Sequence, residues 1–345
     1  MLHSRQRNQV SQKAAATGPS GKVHDLHWQA FGALCRGVVV SDDDSRVAEF
    51  DRSVQTWLAG VEQIATRGPK DSVLTRINEA AGRAWVSVGP DVEPWLDLCG
   101  SLHFMTQGLV DSSDLPLRQL WMAGLDTGAA SEVGGEGRGE GSAAISAPSS
   151  EAIAAARLLV GWSKIKRKPC EVFLPHKGMA LGFDLWIQAY VVDGLIAQAQ
   201  GAGFRAASVG CGEQFRAIGL PPGESAWNCQ PEGALWSERV RGLQVVERGV
   251  AWIPSNPETE PSTGQRKTLL IDPRTGMLVS RNSAQVVVVA STALQARALA
   301  VSAAILGGSA GIRLLETSFA VEGCWIQSGT KHQTKGFSAL LGVTD

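Results

Sequence analysis

Residues 285 to 306 constrain the fold more than any other stretch. Gln285 to Ala290 holds four consecutive valines, Val286 to Val289. A strand that is apolar at every position has to be covered on both faces. Thr292 to Leu306 follows at once as a largely apolar helix, closed by Gly307-Gly308. Together they read as a central strand with a core helix laid on its sheet, with Leu294, Leu299 and Ile305 buried against it.

The rest of the chain supplies the layers around that pair. Arg46 to Thr66 repeats Val47, Phe50, Val54, Trp57, Leu58, Val61 and Ile64 at three- and four-residue steps, which predicts a helix. Asp91 to Thr106 is a second, with Pro94 in its first turn. Ser149 before Ser150-Glu151 is a cap for a third. Glu171 to Leu174 and Arg205 to Val209 read as strands. Ala189 to Gly201 is a helix between them. Leu243 to Ile253 predicts a strand pair turning at Glu247-Arg248-Gly249, and Gly311 to Leu315 and Phe319 to Trp325 complete the core. Helices mixed with antiparallel pairings give an α+β fold, with largely antiparallel sheets and packed helices.

Residues 1–22 are polar and basic and read as a disordered tail, leaving 23–345 as one domain. Within it, 122–150 is almost all Gly, Ala, Ser and Glu, the composition of a flexible linker. With 32 Lys and Arg against 33 Asp and Glu, the net charge is -1. That balance argues against a nucleic-acid partner. No run approaches the ~18 to 20 apolar residues of a membrane span. The start has no apolar stretch of the kind a secretory signal carries, so the cytoplasm is expected. The six cysteines are scattered without a CxxC and read as buried thiols. The six histidines, His24 and His27 apart, lack ligand spacing. No G-x-S-x-G, Walker loop or HExxH is present, so no catalytic residue is assigned.

Five blocks in order carry more: Phe31-Gly32-Ala33; Asp71-Ser72-Val73-Leu74-Thr75-Arg76-Ile77-Asn78; Gly108-Leu109-Val110-Asp111 with Leu115-Pro116-Leu117 and Leu120-Trp121; Ile271-Asp272-Pro273-Arg274-Thr275-Gly276; and Thr292-Ala293-Leu294-Gln295-Ala296. In that order and spacing the chain, from about Leu26 to Trp325, resembles the ApbE family of FAD:protein FMN transferases. The resemblance implies an ApbE-like α+β fold. It also implies FAD as a cofactor, Mg2+ at the pyrophosphate, and transfer of FMN to a Ser or Thr of a flavoprotein partner. The matching positions expected to bind cofactor are Val110, Asp111, Tyr190, Asp193, Gly212, Asp272, Thr275 and Gly276. Asp111 and Thr275 are expected to point into one cleft with the Tyr190 helix.

The departures from the family pattern are as informative. The metal-facing Asp and Thr fall on Arg297 and Val301, and neither residue offers an oxygen to Mg2+. The family histidine falls on Leu269 and its Lys-Gly pair on Gln188-Ala189. Its G-G-D turn reads Gly212-Glu213-Gln214, a Ser-Gly pair is replaced around Trp252 to Pro254, and the entry methionine is Phe31. No metal ligand is therefore assigned, Mg2+ is expected to bind weakly or not at all, and transfer activity is doubtful. A non-catalytic member that binds flavin or a protein is the alternative.

Overall fold

A computed structural model describes residues 20–67, 72–130, 147–231, 240–254, 269–279 and 284–343. Most of the expected tail (1–19), Asp71, and 131–146 of the expected linker lie outside the described residues. The helices are α1 (Asp44–Ala65), α2 (Val73–Glu79), α3 (Glu93–Met105), α4 (Leu115–Ala130), α5 (Ser150–Leu158), α6 (Ile187–Gly201), α7 (Ala293–Leu306) and α8 (Gly308–Glu316).

Among the described residues, eight strands form one sheet in which every neighbour is antiparallel. In spatial order they are Val23–Ala30, Ala33–Val40, Ala207–Cys211, Gln214–Ile218, Gly249–Ile253, Gln285–Ala290, Glu322–Gln327 and Thr330–Gln333. The valine strand lies inside this sheet and its side chains are almost wholly buried. Val286 and Val288 join the larger core, which also holds α1, α6 and α7. Val287 and Val289 point the other way, into a cluster with Trp227, Leu243 and Phe337. The period of two along a strand thus divides one valine run between two cores.

Helix α7 lies across the Gly249–Ile253 and Gln285–Ala290 strands. Leu299 is buried, while Leu294 and Ile305, near the two helix ends, are half-buried. Thr292 Oγ1 caps α7 by accepting from Gln295 N–H at 3.1 Å. Helix α1 buries Val47, Phe50, Val54, Leu58 and Val61 on one face, as its spacing predicts, and packs on α6. Ser72 and Ser149 cap α2 and α5.

Three expectations are corrected. The two strands within 243–253 do not pair with each other. Val240–Val245 belongs to a three-stranded sheet with Trp227–Cys229 and Leu341–Val343, whereas Gly249–Ile253 joins the large sheet. The turn at 246–248, with Glu247 at φ 51°, carries the chain from one sheet to the other, and the facing sheets bury Leu243 and Val245 in one apolar cluster with Val250 and Trp252. Helix α4 runs to Ala130, so residues 122–130 are helical rather than linker. Cys35 and Cys211, opposite one another on adjacent strands with Cα atoms 4.2 Å apart, are joined as a disulfide. Cys99, Cys229 and Cys324 are buried free thiols, and Cys170 is a half-buried one.

Candidate functional site

The core helix α7 carries one charged residue, Arg297, and its side chain is only 8% exposed. A buried guanidinium must find acceptors, and three chain segments supply them. Nε donates to the Leu185 carbonyl at 2.8 Å. Nη1 donates to Glu213 Oε2 at 3.0 Å and to the Trp252 carbonyl at 3.2 Å. One helical turn on, Val301 is buried and presents only methyl groups.

Each acceptor is held in place. Asn78, the last residue of the Asp71 to Asn78 block, uses its side-chain amide like a strand neighbour. Its Oδ1 accepts from Leu181 N–H at 2.7 Å and its Nδ2 donates to Leu181 O at 2.9 Å. Gly182 N–H donates to Ser112 O, and Asp184 takes charged donors from Arg118 and Arg67 at 2.7 and 2.8 Å. These contacts fix the loop ending at Leu185. Glu213 sits on the hairpin turn after Cys211, and its carbonyl accepts from Trp252 N–H at 3.0 Å. Gln188 lies against this turn at Gly212, and its Nε2 is 3.5 Å from the Phe31 carbonyl. Phe31, Gln188, Gly212, Glu213, Trp252 and Arg297 are thus linked neighbours.

Tyr190 and Asp193 occupy the neighbouring face of α6. They line an open cavity of about 1200 Å³ with Trp57, Glu49, Arg216 and Leu294. The Tyr190 ring stacks on Trp57 with centroids 6.2 Å apart. Asp193 is turned towards α7, where it accepts from Ala293 and Leu294 N–H, both at 2.9 Å, and from Arg216 Nη1 at 2.9 Å. It therefore secures the start of α7, one turn before Arg297.

Asp111 does not point into a cleft. It is buried beside Val110, and its carboxylate accepts from Ser113 N–H at 2.8 Å, Ser113 Oγ at 2.6 Å and Trp162 N–H at 3.0 Å. His103 Nδ1 is 3.0 Å away. Three hydrogen bonds and the imidazole beside it surround this one short side chain. Burial pushes the Asp111 carboxyl up, but the bonds from His103, Ser113 and Trp162 outweigh this and hold it below the usual range. The same bond, against burial, raises His103 above its ordinary value. The bond from a charged His103 thus stabilises the fold fully below about pH 6.5, the unfolded imidazole value. It is lost as pH rises through the raised folded value. His103→Gln is therefore expected to lower the melting temperature most near pH 6, with the difference from wild type shrinking towards pH 9. A pH-independent difference in thermal melts would refute the pairing.

Asp272, Thr275 and Gly276 form a tight turn. Asp272 accepts from Arg274 N–H at 2.9 Å and from its guanidinium at 2.8 and 2.9 Å. Gly276 O accepts from Trp121 Nε1 at 2.9 Å, which seats the turn on α4. Thr275 is exposed, and its Oγ1 accepts from Met277 N–H at 3.2 Å. Leu269 packs near this turn, in a cluster with Trp121 and Ile153. The expected site residues thus fall into separate groups: Gly212 by Arg297, Tyr190 and Asp193 at the cavity, Val110 and Asp111 in the core, and the 272–276 turn on α4.

The ApbE family model matches residues 31–325, most of the described fold. The chain belongs to the ApbE family. Two curated relatives, each named FAD:protein FMN transferase, are 24% identical: one from Escherichia coli K12 over 297 residues, and one from Salmonella typhimurium LT2 over 296. The alignments cover 83% and 82% of this chain and 79% and 78% of those proteins. Among solved structures, the apo flavinyl transferase ApbE of Pseudomonas stutzeri superposes with a TM-score of 0.73 at 21% identity, covering 94% of this chain and 98% of that one. The ApbE protein of Thermotoga maritima gives 0.74 at 18% identity, covering 92% and 99%. The fold is therefore ApbE-like α+β. Five residues at distant sequence positions (Phe31, Gln188, Glu213, Trp252 and Arg297) meet in one place. The sequence does not show their meeting, nor the Leu185 carbonyl and the Asn78 clamp behind it. A lone arginine in an apolar helix was the available signal, because it demands buried partners.

Proposed function

We propose that this ApbE-family protein binds a flavin nucleotide but does not carry out magnesium-dependent transfer of FMN to a protein. One observation carries the reading: three protein oxygens are spent on the Arg297 guanidinium, which on the sequence resemblance takes the place of a metal-facing carboxylate. Mg2+ requires near-octahedral oxygen ligands at about 2.1 Å. Arg297 has no oxygen and repels the ion, and Val301 adds none. Among the described residues no group of three or more His, Cys, Asp or Glu could hold a metal. A guanidinium and a pair of methyl groups do not fit the ion. Flavin binding is supported by family membership and by relatives that are FAD:protein FMN transferases. The protein acceptor in the name of those relatives becomes, on this reading, a binding partner rather than a substrate.

The test is incubation of the purified protein with FAD, with Mg2+ or EDTA, followed by gel filtration and analysis of the nucleotides. FAD should be retained intact, with no AMP released in either condition. Release of AMP with FMN fixed to a Ser or Thr, abolished by EDTA, would show a working transferase and overturn the proposal.

A further inference from the structure

The guanidinium of Arg297 is not fully used. Nε and Nη1 are bound to Leu185, Glu213 and Trp252, but Nη2 makes no hydrogen bond to any described residue. Nor is it sealed away, since it is not one of the buried atoms left without a partner, and the side chain keeps its small exposure. A guanidinium held on two edges and open on the third is a preorganised donor, since its side-chain entropy is already spent. Its surroundings are suited to holding a cation. Two backbone carbonyls and a carboxylate converge on it from segments fixed by the Asn78 clamp, the 211–214 turn and the strand bearing Trp252. They keep the charge fixed in a buried position.

We propose that Arg297 is itself the cation of this site, and that its free Nη2 edge takes a phosphate oxygen of the flavin nucleotide, so that binding needs no divalent metal. The proposal rests on the flavin-nucleotide reading above and adds which chemical part of the ligand is read. Guanidinium is suited to this because it stays charged at any physiological pH and donates in a fixed plane to phosphate oxygens. Glu213 opposes it, since its carboxylate competes for the same charge. Phosphate affinity is therefore set by the balance of the two residues.

The experiment compares riboflavin, FMN and FAD as titrants by flavin fluorescence, in EDTA and in Mg2+. FMN and FAD should bind at least about 10-fold more tightly than riboflavin, matching one charge-assisted hydrogen bond, and EDTA should change neither. Arg297→Gln should bring FMN down to the riboflavin level and leave riboflavin unchanged. Glu213→Gln, which keeps size and removes the competing charge, should tighten FMN several-fold without moving riboflavin. This second variant tests the anchor by itself if Arg297→Gln does not fold. An FMN-to-riboflavin ratio unchanged in both variants, or FMN binding lost in EDTA, overturns the proposal. If no flavin binds, the flavin reading itself falls. Inorganic pyrophosphate is then the titrant, and binding that Glu213→Gln does not strengthen overturns the anchor as well.

Discussion

Replacing Arg297 with methionine is expected to destabilise the protein by about 3 kcal/mol, in the range found when one partner of a buried ion pair is removed. Methionine nearly fills the volume, so the loss is mostly polar. The Leu185 and Trp252 carbonyls lose their donor, and the one-fifth-exposed Glu213 carboxylate loses its pairing with Arg297. The double variant Arg297→Met with Glu213→Leu should recover more than half of the loss, because replacing both partners with apolar groups removes the charge as well as its partner. Urea unfolding of the four proteins of this cycle measures it. A single-variant loss below about 1 kcal/mol would mean that Arg297 is not an anchor of the fold.

Gly249→Val is expected to have an effect at least as large, about 3 kcal/mol or more, or to abolish soluble protein. Gly249 lies in the strand under the start of α7. A Cβ there would overlap the Ala293 amide nitrogen and the Thr292 carbonyl carbon, both backbone atoms. Side chains can rotate out of such a clash, but a helix start tied to Asp193 cannot move without breaking those bonds. Gly60→Ala in α1 is the control. Nothing lies within 4 Å of its Cβ position, and alanine favours helix over glycine by about 1 kcal/mol. Thermal melts that rank the two variants alike would refute the close-approach argument.

The layered core was legible because its signals are local. Four valines in a row and an apolar 15-residue stretch fit only a covered strand and a core helix, whichever elements do the covering. The α1 face was readable from its three- and four-residue spacing for the same reason. What was not legible depends on distant partners. The turn at 246–248 carries ordinary turn residues, and nothing in them says that its two strands belong to different sheets. Asp111 and Asp193 stand out in the sequence as special carboxylates. Their targets, His103 and Trp162 for one and the α7 amides for the other, were not visible, because a motif gives no direction for a side chain. The Arg297 cluster shows the limit best. Each substitution could be read alone, but their mutual contact is a property of the folded sheet.

Arg297 takes its acceptors from residues 112, 84 and 45 positions earlier in the chain. A growing polypeptide therefore presents Leu185, Glu213 and Trp252 long before the group that joins them exists. Until α7 emerges and docks, burying the Glu213 carboxylate would carry a desolvation penalty without the Arg297 charge that offsets it in the folded protein. The guanidinium thus acts as a late latch, closing three segments only once the core helix that carries it is in place.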